Sequence, residues 1–164
     1  MWVRRVTNSH MAGLNHDFLL LSRQEYSSHH LSQWINSPRA VQIHDDVMRY
    51  IQDTLNWITC YNPGRRMTKQ RGLNFCGPTI IKSDGAPRAE KVFMAWASMF
   101  SNGPKTLQLT GAYEWAHEDR IETRHYSTVI VDRDETAAKF TDLADYAKKV
   151  TVSKGQLLIL HLGI

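Results

Sequence analysis

Four groups of residues in this chain are of types that could do chemistry. Cys76, within "RGLNFCGPTIIKSDG", stands before a Gly77-Pro78 pair. An exposed thiol there would be a nucleophile if a histidine or a cation lowered its pKa. His117 and His125 bracket "HEDRIETRH", with Glu118 and Asp119 between them, and a hairpin would draw the two rings together for metal binding or general acid–base work. Arg65, Arg66, Lys69 and Arg71 crowd together just after Tyr61, and cations beside an aromatic ring suit phosphate contacts and base stacking. Trp96, Tyr113, Trp115 and Tyr126 offer aromatic surface for a ligand pocket, with Glu114 or His125 at its mouth.

Each group also has a plainer explanation. A nucleophile elbow needs glycine on both sides of the nucleophile and a strand running straight into a helix, and here Pro78 and a second apolar run intervene. Free cysteine is among the most buried residue types, so Cys76 reads first as part of a strand. The histidines show no HExxH spacing; His29 and His30 are adjacent and diverge in any regular structure, while His44, Asp45 and Asp46 read as the solvated face of a helix. The basic run lacks any helix-turn-helix, RNP or zinc-finger pattern around it. The aromatic residues serve equally well as core, although five tryptophans are a generous number and tryptophan is favoured where proteins meet partners.

The expectation is therefore a non-catalytic domain that uses an aromatic pocket or face to hold a small apolar or aromatic ligand or a protein partner, as a homodimer. A small hydrolase using Cys76 or the His117/His125 pair is the alternative. Nucleic acid at Arg65, Arg66, Lys69 and Arg71 ranks lower, and no metal or cofactor is expected.

The elements that must position these residues follow from periodicity. The 164 residues suit a single domain, 42% hydrophobic and 22% charged, with a net charge of +4. Two cysteines are too few for a disulfide framework, and no apolar run could span a bilayer, so a cytoplasmic protein is expected. Residues 1–10 read as an extension of uncertain origin ahead of a domain over 11–164. "DFLLL" suits a buried strand. Ser37 and Pro38 read as the start of a long helix carrying Val41, Val47, Met48, Ile51, Leu55 and Ile58 on one stripe and ended by "YNPG". A strand runs through Leu73 and Phe75 toward Thr79–Ile81, and a proline-led helix from Pro87 shows Val92, Phe93, Trp96, Met99 and Phe100. Thereafter the period becomes two: Leu107, Leu109, Tyr113 and Trp115 share one face, and Ile121, Val129 and Val131 return opposite them as a hairpin. A helix after "DRDE" carries Phe140, Leu143, Ala147 and Val150, with acids early and lysines late as the helix dipole favours. "LLIL" near the end implies a strand buried on both faces. The sum is an α+β domain: a mixed, largely antiparallel sheet with helices mainly on one face.

The stretch "STVIVDRDETAAKFTDLADYAKKV" with "LLILHLGI" after it and "LTGAYEW" before it resembles the C-terminal half of small orphan bacterial proteins, including products of mobile integron gene cassettes. The resemblance covers roughly the last sixty residues. It implies a stand-alone, cassette-type protein and carries over no site residue.

Overall fold

The computed structural model describes residues 3–5, 15–64, 66–118 and 121–164. The elements are β1 (Val3–Arg5), β2 (Asn15–Ser22), α1 (Arg23–Ser28), a 3-10 turn at Leu31–Gln33, β3 (Val41–His44), α2 (Asp45–Tyr50), α3 (Gln52–Leu55), β4 (Thr59–Asn62), β5 (Thr68–Arg71), β6 (Gly77–Ile81), α4 (Ala86–Ser101), β7 (Thr106–Glu118), β8 (Ile121–Asp132), α5 (Arg133–Val152) and β9 (Leu157–Gly163). They form a six-stranded sheet ordered β3-β2-β9-β6-β4-β5 and a three-stranded sheet ordered β1-β8-β7. All pairings are antiparallel except that of β1 with β8.

β9 lies between β2 and β6, as its unbroken apolar run demands. Leu158 and Leu160 pack with Leu19, Leu21, Ile80 and Trp34 on one face, under the chain from Tyr26 to Ala40. Ile159 joins Phe18 and Ile81 on the other face, in a core completed by Phe93 and Phe100 of α4, Phe140 and Leu143 of α5, and Leu107, Leu109, Val129 and Val131 of the hairpin. Each of these aliphatic side chains contributes about 2 kcal/mol on leaving water. Helices α4 and α5 thus share one core with strands of both sheets, and the α+β architecture read from the sequence is the one observed.

α5 is capped by Asp132, whose side chain accepts from the Glu135 N–H, and its buried face is the one the heptad-like spacing marks, Phe140, Leu143, Ala147 and Val150. α4 buries Val92, Phe93 and Phe100 as expected, but Met99 is exposed; Ala86, Ala89 and Ala97 complete its buried stripe.

The long helix expected over 37–58 is not formed. Val41–His44 is instead a strand beside β2, and Ser37 closes a turn in which its hydroxyl accepts from the Arg39 N–H. The helix proper begins at Asp45, with His44 as its cap, and breaks at Ile51. "YNPG" follows a strand, β4, rather than a helix. β6 likewise starts only at Gly77, whose φ of +86° favours glycine there and turns the chain out of the Leu73–Cys76 loop. In the hairpin one extra residue in β7 between Thr110 and Tyr113 reverses the alternation, so Tyr113 does not share the buried face of Leu107 and Leu109 and is exposed.

Candidate functional site

A groove of about 520 Å³ opens where the N-terminal end of α4 meets the β4–β5 edge of the large sheet, lined by Trp57, Thr59, Arg71, Asp84, Pro87, Arg88 and Lys91. Thr59 and Arg71 are cross-strand partners. Arg88 and Lys91 are three residues apart on α4 and so share one side of it. Gly85 precedes α4 without a side-chain cap and the first turn carries no acid; the carboxylate at this end of the helix is Asp84, immediately before Gly85. Gly85 is dictated by space: a Cβ at this position would overlap the Thr59 carbonyl oxygen.

The charge balance of the groove is one-sided. Asp84 accepts from the Tyr61 hydroxyl at 2.7 Å and from Lys69 Nζ at 3.0 Å. Burial opposes its ionisation, but these hydrogen bonds and the Lys69 charge outweigh that and hold the carboxyl below its ordinary range. Its charge is therefore already answered. The side chains of Arg71, Arg88 and Lys91 have no hydrogen-bond or ion-pair partner among the described residues. Trp57, 59% exposed, stands beside them with no ring stacked on it among the described residues. Three free cations and an open indole share one concavity.

No family model, curated protein or solved structure matches the chain.

Of the basic run, Arg71 lines the groove, Lys69 holds Asp84, and Arg66 is exposed ahead of β5. Arg65 lies outside the described residues. Tyr61, the aromatic nearest the run, has the Lys82 ammonium 4.3 Å from its ring centroid, so one of its faces is occupied. The residues the sequence reading missed are Trp57, Thr59, Arg88 and Lys91, which belong to other elements and meet the basic run only in space.

The expected aromatic pocket divides. Trp96 packs against Tyr50 and Phe100, and its indole N–H donates to Thr54 Oγ1 at 2.8 Å. Tyr113 and Tyr126 face each other across the hairpin at 5.1 Å, both exposed. The side chains of Glu114, Trp115, His117 and His125 lie outside the described residues; their backbone register pairs Glu114 with His125 and Trp115 with Arg124, while His117 pairs with Glu122.

Cys76 is exposed and has no hydrogen-bond partner among the described residues. Arg49 lies within electrostatic reach of it and over the Phe75 ring. Cys60 is buried, its S–H directed at the Ile58 carbonyl, and burial pushes that thiol up to about 12. A thiol assay on the folded protein is therefore expected to titrate one cysteine per chain, with the second released only by denaturant; two reactive thiols in the native state would contradict the burial of Cys60.

Behind Arg49 lies a polar chain that nothing in the sequence announces. Arg49 Nε donates to Asp45 Oδ2, Asp45 Oδ1 lies 3.0 Å from His16 Nε2, and His16 Nδ1 lies 2.8 Å from His161 Nε2. Both histidines are fully buried. Burial raises the Asp45 carboxyl, but hydrogen bonds from His16 and Arg49 override this and keep it below its ordinary value, hence ionised. An ionised Asp45 can only accept, so His16 donates through Nε2 and must accept at Nδ1 from the Nε2–H of His161. His161 Nδ1 is left as an acceptor with no partner among the described residues. With both nitrogens of His16 engaged, it cannot act as a base toward Cys76. This cluster joins β9, β2 and α2 and is structural in its geometry.

Proposed function

We propose that the protein is a non-catalytic binding domain whose site is the groove between α4 and the β4–β5 edge, and that its ligand carries phosphate and a flat ring. The observation that carries this reading is the convergence of Arg71, Arg88 and Lys91, unpartnered, beside the exposed Trp57. Three like charges held on rigid elements without ion-pair partners among the described residues repel one another, and an anion relieves that repulsion. Trp57 supplies a stacking face and Thr59 a hydroxyl. Among the described residues the groove lining has no histidine and no cysteine, and its one carboxylate is committed to Tyr61 and Lys69, so that lining supplies binding groups and no free base or nucleophilic thiol.

Titration with thymidine monophosphate tests this. Saturation at ten times Kd is expected to stabilise the fold by about 1.4 kcal/mol, seen as a rise in melting temperature. The double charge reversal Arg71→Glu, Arg88→Glu is expected to abolish the rise without altering the fold, since both residues are exposed. A chain that ignores phosphate esters altogether, or one whose binding survives the double reversal, overturns the reading.

A further inference from the structure

We infer that the ligand of the groove is single-stranded nucleic acid, with its phosphates following the cations from α4 toward the β5 edge and one base stacked on Trp57. The inference rests on the phosphate reading above and adds the polymeric, unpaired character of the ligand.

The first support is the layout of the cations. Taken from α4 to β5 they come as two pairs: Lys91 and Arg88 lie about one turn apart along α4, and Arg71 and Lys69, the latter shared with Asp84, lie two residues apart on one face of β5, at about 6.6 Å from the strand rise. Arg66 precedes that strand on the exposed side. One phosphate answers two such groups, whereas a repeating anion answers both pairs.

The second support is the position of β5. It is the edge strand of the six-stranded sheet, paired on one side with β4 alone, so the second pair lies along an open edge. The only carboxylate among the described residues of the groove is Asp84, and its bonds to Tyr61 and Lys69 answer its charge.

The third is Trp57. Its exposed indole is a stacking plate with no sequence preference, because every base presents a π-face. In a duplex those faces are stacked on one another, so the plate selects an unpaired strand. Tyr61 is less suited to the role, with Lys82 already against its ring. A set of cations beside one aromatic plate is the arrangement that grips single strands without reading their order.

The test is an anisotropy titration of the full chain with a labelled thymidine decamer, set beside thymidine monophosphate and a duplex of the same length. The decamer is expected to bind at least about ten-fold tighter than the monophosphate. Its affinity is expected to fall roughly twenty-fold between about 50 mM and about 200 mM salt if the three free cations each meet a phosphate. Trp57→Ala is expected to weaken the decamer about ten-fold. Arg88→Glu serves as the second variant on a separate element, and circular dichroism confirms that both variants fold. A monophosphate that binds as tightly as the decamer would overturn the strand while leaving the phosphate groove intact. A duplex that binds equally well, or a folded Trp57→Ala variant with full affinity, also overturns the strand. If neither nucleotide nor decamer binds, both the strand and the groove fall.

Discussion

Stability is expected to decline as the pH drops below about 6.5, and to do so by about 1.4 kcal/mol per pH unit for each proton that the fold excludes. The cause is the histidine pair. Burial lowers His16, with the hydrogen bond and charge of Asp45 offsetting part of the effect, Arg49 adding to it and Asp17 opposing it; burial and then the His16 charge hold His161 well below the ordinary 6.5. The sign follows directly. Between the folded and the unfolded pKa the unfolded chain binds protons that the native state refuses, so acid favours unfolding. Above about 6.5 neither state is protonated and the histidines impose no slope. Where both protons are excluded the slope doubles, a large share of a domain's usual stability within two pH units. Urea midpoints measured from about pH 7.5 to about pH 5 give the slope, and His161→Phe, which keeps a ring against Phe18, is expected to reduce it by one proton. A flat profile over that range would mean that the two rings are not shut away from water.

The second large effect is expected from Gly85→Ala, at about 3 kcal/mol of lost stability, the upper part of the range for forced overpacking. Gly85 has an ordinary φ, −93°, so backbone strain is not the mechanism. The added methyl meets the Thr59 carbonyl, which is backbone and cannot rotate away. Either α4 lifts from β4 or β4 shifts, and both movements separate Thr59 and Arg71 from Arg88 and Lys91. The variant is thus expected to lose phosphate binding even under conditions where it remains folded. Chemical denaturation and ligand titration of the same sample separate the two losses; a variant as stable as the parent would show that the helix does not sit this close to the strand.

How much of this was legible in the chain depends on whether the signal was local. "LLIL" carries its own message, because four successive aliphatics in a short segment suit a strand buried on both faces, and β9 does occupy the sheet interior. α5 was equally plain, since the Asp132 cap, the early acids and the apolar stripe all agree. The segment 37–58 misled because Val47, Met48, Ile51 and Leu55 do have helical spacing, and Val41 fits the same stripe by coincidence; what decides its conformation is the free edge of β2, some twenty residues upstream, which Val41–His44 completes. The groove was half legible. Lys69 and Arg71 were visible as a basic run, but Arg88 and Lys91 lie on α4 and Trp57 ahead of β4, so no local pattern joins them to that run. The polar chain from Arg49 to His161 was beyond reach, because its two histidines are 145 residues apart and become neighbours only through the pairing of β2 with β9.

The place of β9 also bears on the order of events during synthesis. The strand at the middle of the six-stranded sheet is the last of the described elements to leave the ribosome. Until it arrives, β2 and β6 have no strand between them, and each presents an unpaired edge and a bare aliphatic face. A nascent chain at that stage is two fragments of a sheet waiting for their common centre, the condition in which strands pair with the wrong neighbour or with another molecule. The closing strand must then enter between both edges at once, so the sheet is sealed by the last of its described strands, and the moment of risk falls before that strand is made.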